Sequence, residues 1–126
     1  PEEQTKFEAA VATGGLVLQK SPAAAYWKGR SLTQQLSTKP KAWLLLCKLA
    51  TAAQHGGEVG EADIYESRDS GPHAASTFPM LLSRLAAILP EDLGALIEHG
   101  LQERMYRLKL APERVHLFGF RYRYHD

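Results

Sequence analysis

Two leucine-rich stripes at helical spacing, each fenced by proline or glycine, set most of what this chain can become. In the first, Trp43, Leu44, Leu46, Cys47, Leu49 and Ala50 recur every three to four residues, which places them on one face of a helix. Pro40 suits the first turn of that helix, with Thr38 or Ser37 as its cap, and His55-Gly56-Gly57 stops it after about Gln54. In the second stripe, Leu81, Leu82, Leu85, Ile88 and Leu89 share a face, and Pro90 ends the helix. Ser76 or Thr77 is expected to cap it, with Pro79 accommodated in its first turn.

Around these stripes the chain changes period. Residues 1–13 favour helix weakly and run into Gly14-Gly15, so 1–14 reads as a linker or short opening helix. Leu16-Val17-Leu18, Ala25-Tyr26-Trp27 and Arg30-Ser31-Leu32-Thr33 are short apolar or β-branched runs broken by turn residues, the pattern of a small antiparallel sheet. Val59 reads as an extended stitch, Glu61 to Tyr65 as a brief helix, and 67–76 as a polar loop. After a connector at Asp92 to Ala95, Leu96 to His99 and Met105 to Leu110 alternate like the two strands of a hairpin.

The order is sheet, helix, helix, helix, hairpin. It specifies an α+β fold of winged helix-turn-helix type: an N-terminal antiparallel sheet, three helices, a C-terminal hairpin wing and an extra strand. At 126 residues the chain fits one such domain, over residues 15–110. Residues 111–126 form a C-terminal extension, expected to lie as a strand on the domain or on a partner. The chain starts at Pro1, as an excised domain of a longer protein would.

The same residues resemble the effector domain of OmpR/PhoB-type response regulators and related transcriptional activators. The likeness rests on Trp27-Lys28-Gly29-Arg30-Ser31-Leu32-Thr33 in the opening sheet, the paired leucines of Trp43 to Leu46 with Leu49-Ala50, and Gly57-Glu58-Val59 leading to Ile64-Tyr65. It continues in Leu82-Ser83-Arg84-Leu85 with Ile88-Leu89, a sparser form of the family's recognition-helix pattern, and in Tyr106-Arg107-Leu108 of the wing. The resemblance implies a transcription regulator that contacts double-stranded DNA with its third helix and wing. It also implies a homodimer or a fused sensor or receiver domain as a further partner.

The implied contacts are Ser76, Thr77, Ser83 and Arg84 on the third helix and Arg104, Arg107 and Lys109 on the wing. Arg107 and Lys109 share strand parity and so one face. Where the family pattern has a second arginine this chain has Ala86, and Met105 stands where the wing has glycine. Between Pro72 and Pro90 the sole Lys or Arg is Arg84. With 15 Lys and Arg against 14 Asp and Glu, the chain is almost neutral, whereas nucleic-acid binders are commonly basic. The competing reading is therefore a winged-helix module for protein interaction or structure that has lost DNA binding.

In the tail, strand parity puts His116, Phe118, Phe120, Tyr122 and Tyr124 on one face and Arg121 and Arg123 on the other. Aromatics interleaved with arginines suit single-stranded nucleic acid, or an added strand with its aromatic face on the core and its arginines in water. Tyr122, Tyr124, Arg121 and Arg123 are thus candidate contacts for a partner or a nucleic acid. Catalysis finds no residue set. The histidines at 55, 73, 99, 116 and 125 lack ligand spacing, and Cys47, alone of its type, lies in an apolar run as a buried thiol. No cofactor, metal or catalytic group is expected. No stretch approaches the ~20 apolar residues of a membrane span, and a reducing, cytoplasmic setting is expected.

Overall fold

In the computed structural model of the chain the described residues are 2–20, 23–60, 63, 74–102 and 104–119, the side chains of 2–4 and 74–77 excepted. The fold is mixed α+β: a four-stranded sheet, a separate two-stranded hairpin, and five helices among the described residues.

The chain opens with helix α1, Glu2–Thr13. Phe7, Ala10 and Val11 fall on one side of it, and Phe7 sets its ring edge-on against Tyr26 and Phe118 at 5.6 and 5.3 Å. Thr13 donates its hydroxyl to the Ala10 carbonyl and Gly14 turns left-handed at φ 86°, so the helix stops there. Strand β1, Leu16–Gln19, is paired on one edge with antiparallel β2, Ala24–Trp27, which pairs in turn with β3, Arg30–Ser31. Lys28 and Gly29 form the two-residue turn between them, both at positive φ (51° and 80°), the geometry that matches strand twist.

The expected strand does not reach Thr33. Helix α2, Thr33–Ser37, begins there, because the Thr33 hydroxyl bonds back to Ala25 and the backbone turns over Leu36, which buries itself. Helix α3, Pro40–His55, then supplies the centre of the core with Leu45, Leu46, Leu49 and Ala50, all fully buried. Pro40 stands at its first position as expected, but neither Thr38 nor Ser37 caps it. Lys39 holds the cap position without a side-chain bond, and the Ser37 hydroxyl is spent on the Gln34 carbonyl. At the other end Gly56 is left-handed at φ 70°, and the Gly56 and Gly57 N–H groups close onto the Ala53 and Ala52 carbonyls, a Schellman stop.

Helix α4, Ala74–Ile88, starts earlier than its sequence signals indicate. Ser76 and Thr77 lie within it and do not cap it, and Pro79 sits beyond the first turn, inside the helix. Having no N–H, Pro79 makes no bond to the carbonyl of Ala75 one turn back. The helix persists because Phe78, Leu81, Leu82 and Leu85 anchor this same stretch in the core, and tertiary burial outweighs the lost bond. The segment expected to be a connector carries a short helix α5, Glu91–Gly94, with Leu93 fully buried. The brief helix read over 61–65 lies outside the described residues except Asp63.

The hairpin follows as β4, Ile97–His99, antiparallel to β5, Tyr106–Leu108. Val59 bridges the far edge of β5 through two bonds with Tyr106, at 2.7 and 2.8 Å. A 3-10 turn, Pro112–Arg114, then delivers β6, Val115–Phe118, alongside β1. That pairing is parallel, in the order β3-β2-β1-β6, so the sheet is mixed.

Strand β6 ends at Phe118, and Gly119 turns away at φ 81°; Arg121, Tyr122, Arg123 and Tyr124 lie outside the described residues. The tail's faces are also reversed from expectation. Val115 and Leu117 turn to the core, while Phe118 packs under α1 on the sheet's other side. Strand β1 is consequently covered on both faces, and Leu16, Val17 and Leu18 are all fully buried.

One glycine decides this closure. A Cβ on Gly15 would collide with the Arg114 carbonyl, whereas one on Gly57 meets only ordinary contacts at 3.8 Å. Gly15→Ala is expected to lower unfolding free energy by about 1–3 kcal/mol through overpacking, clearly more than Gly57→Ala, as read by urea denaturation of both variants.

Candidate nucleic-acid interface

The packing of α4 determines which of its side chains reach outward. With Phe78, Leu81, Leu82, Leu85 and Leu89 turned inward, the exposed face carries Pro79, Met80, Ser83, Arg84 and Ala87. Met80, at 52% exposure, stands with Pro79, Ser83 and Arg84 around a shallow hollow of about 300 Å³. Phe78 packs edge-on against Tyr106 of β5 at 5.7 Å, which fixes α4 beside the hairpin. His99 lies against the same tyrosine at 4.7 Å. Ser76 and Thr77 belong to the first turn and a half of this helix, and their side chains lie outside the described set.

The loop of the hairpin is held by a carboxylate from elsewhere in the chain. Glu58 accepts the backbone N–H groups of Leu101 and Gln102. Gly100 gives it room, since a Cβ there would strike that carboxylate. Leu101, beside this clasp, is 91% exposed. Arg104 leaves the loop in a left-handed conformation at φ 62° with its side chain in solvent. Its guanidinium, like that of Arg84, has no carboxylate partner among the described residues.

Arg107 is different. It lies directly opposite Glu98 in the hairpin register, and its guanidinium donates to that carboxylate. A half-exposed pair of this kind is worth only about 0–1 kcal/mol, but it cancels one of the hairpin's charges. Arg107 and Lys109 are both exposed and border a common hollow between the hairpin and the end of α3. Lys109 therefore stands at the base of the hairpin, away from its loop. It also borders a second cleft with Trp27, Lys28, Asp92 and Arg114. The expected contact set thus divides into an outer group, Ser83, Arg84 and Arg104, and a basal group, Arg107 and Lys109.

In the basal cleft Lys28 meets Asp92 at 2.8 Å. The Lys28 ammonium holds the Asp92 carboxyl below the usual carboxylate range; burial opposes this, and the Trp27 indole N–H assists it. That N–H is buried and closes no hydrogen bond of normal geometry, so it lies near the carboxylate without bonding to it. Lys28 and Arg114 both stand over the Trp27 ring, at 5.4 and 5.9 Å. Nothing in local sequence pairs residue 28 with residue 92 or 114.

Cys47 is buried in α3, and its thiol is pushed up to about 12 by that burial, against the weaker pull of Lys20 and Lys48. It is neutral at any working pH and faces the core. Among the described residues no three His, Cys, Asp or Glu side chains gather as a metal site, and no helix is long and apolar enough to cross a membrane. Compared with known proteins, the chain matches no family model, no curated protein and no solved structure.

Two measurements check this geometry. Native protein at pH 8 should leave Cys47 unmodified by a thiol reagent for as long as it stays folded, and react fully in denaturant; rapid labelling of native protein would contradict its placement. Glu58→Ala should speed hydrogen exchange at the Leu101 and Gln102 amides by about fivefold or more, the loss of a charge-assisted bond of 1 kcal/mol or above, while the amides of α3 keep their protection.

Proposed function

We propose that the chain is a winged helix-turn-helix module that binds duplex DNA, with α4 as the groove-facing helix and the β4–β5 hairpin as the wing. The observation that carries this reading is the outer group. Ser83 and Arg84 project from α4, and Arg104 stands at the hairpin loop. Neither arginine is neutralised by a described carboxylate, and Phe78 of α4 meets Tyr106 of the hairpin edge-on.

The roles follow from the groups. Arg84 presents a planar fork of donors that suits a guanine edge or a phosphate, and Ser83 adds a small donor and acceptor beside it. Arg104 contacts phosphate. Ser76 and Thr77 stand in the first turns of α4. Arg107 contributes weakly because Glu98 already engages it, and Lys109 stands apart. Few phosphates are neutralised in this scheme, so binding is weak and sensitive to salt. A gene-regulatory role with a dimer or a fused sensor domain is the setting in which so modest a grip suffices, because two half-sites add.

A second reading has its own observation. Pro79 and Met80 expose apolar surface on the outer face of α4, and Leu101 does so at the hairpin loop, where a DNA reader commonly has cations, and that favours a protein-docking module.

Fluorescence anisotropy with random and varied duplexes at low salt separates the two. Binding that weakens as salt rises is expected. Arg104→Ala should weaken all sequences alike and reduce the salt slope by about 1, Arg84→Ala should also relax sequence choice, and Lys109→Ala should leave affinity within about twofold of the parent, because it contacts no phosphate and releases no counterion. Absence of binding at about 50 μM duplex removes the DNA reading and leaves the docking module.

A further inference from the structure

The basal cleft has properties that neither core packing nor the outer group uses. It is an open recess of about 370 Å³ between the Lys28 turn, α5, the hairpin base and the 3-10 turn before β6. Three cations border it, Lys28, Lys109 and Arg114, against one carboxylate, Asp92. With Lys28 engaged by Asp92 at 2.8 Å, the charges of Lys109 and Arg114 remain uncompensated. Arg114 donates to the Gly14 carbonyl at 3.2 Å and lies over the Trp27 ring, which leaves its guanidinium charge intact. The Lys109 ammonium has no partner among the described residues.

The floor of the cleft adds an independent sign. Trp27 is only 4% exposed, and its Nε1 is buried without a hydrogen bond. An indole N–H can only donate, and buried donors are nearly always paired. This unpaired donor lies beside Asp92, whose Oδ2 engages Lys28, so a shift of Lys28 leaves the carboxylate free to turn toward the indole.

We propose that this cleft binds an oxyanion of the phosphate class, held by Lys109 and Arg114 and drawing Lys28 toward it. As the Lys28 ammonium turns to the anion, the Asp92 carboxylate closes the missing hydrogen bond from Trp27 Nε1. Every charge then has a partner, and the buried donor is satisfied. The donors come from three separate segments, the Lys28 turn, the hairpin base and the 3-10 turn, and a phosphate offers them more acceptor oxygens than a carboxylate does. The open side leaves room for the carbon part of a phosphomonoester. The site is separate from α4's outer face and does not depend on the DNA reading.

The chain carries its own control for the test. Its two tryptophans are Trp27 and Trp43, and Trp43 borders a different hollow with Leu36 and Ser37. Titration of ¹⁵N-labelled protein with inorganic phosphate should move the Trp27 indole N–H resonance downfield and saturably while that of Trp43 stays in place. Acetate and chloride at matched ionic strength should move neither. Lys109→Ala, at an exposed position, should weaken the phosphate response by about fivefold, the effect of one lost surface charge contact, with an otherwise unchanged spectrum. Tighter binding of glycerol phosphate than of inorganic phosphate would assign the site to a phosphomonoester, and equal binding would assign it to the free ion. A Trp27 resonance that does not move, that moves alike with acetate or chloride, or that responds identically in Lys109→Ala overturns the proposal.

Discussion

The approach of the Arg114 backbone to Gly15 is the constraint on which the second half of the molecule depends. Strand β6 reaches β1 only because no side chain stands at residue 15. Once there, it is fixed from several sides. Four register pairs join it to β1, Gln54 of α3 donates its amide to the Val115 carbonyl at 2.8 Å, and Phe118 meets Phe7 of α1. The hairpin hangs between α5 and the turn before β6, so its base is positioned from both ends. The basal cleft is a direct product of this closure, since Lys28 comes from the sheet, Asp92 from α5, Lys109 from the hairpin and Arg114 from the returning chain.

What could be read from sequence follows the range of the interaction. Helix α3 was legible because its determinants are local: Pro40 at the first position, an apolar face at three-to-four spacing, and Gly56 free to turn left-handed. The β4–β5 pair was legible because alternation fixes which residues share a face. The start of α4 was not. Ser76 and Thr77 carry the chemistry of a cap, yet cap logic assumes that the helix begins where capping is best. Here Phe78 and Leu81, buried against the rest of the core, hold helical a stretch that Pro79 would break in isolation. The parallel partner of β6 was equally hidden. Parity separates the two faces of a strand but does not say which face meets the core, and the aromatic face went under α1 instead.

The candidate contact residues divide along the same line. Strand parity correctly joins Arg107 with Lys109, but it is silent about distance from the hairpin loop and about Glu98 directly across the ladder. Arg84 and Ser83 could be placed outward from the leucine stripe alone, because a helix that buries such a stripe has only one remaining face. The Glu58 clasp and the Lys28–Asp92 pair each join residues more than forty positions apart, and no local signal encodes them.

Charge is the thread between the two proposed sites. A chain with nearly equal numbers of acids and bases can concentrate positive potential only by spending its carboxylates elsewhere. Glu98 is spent on Arg107, Glu58 on two backbone amides at the hairpin loop, and Asp92 on Lys28. Arg84 and Arg104 are left without a carboxylate partner among the described residues, and Lys109 and Arg114 border the cleft. Neither pair makes a strongly basic surface, and a duplex contacting two arginines gains little from counterion release. Within the hairpin, Arg104 lies at the loop and Lys109 at the base beside the cleft.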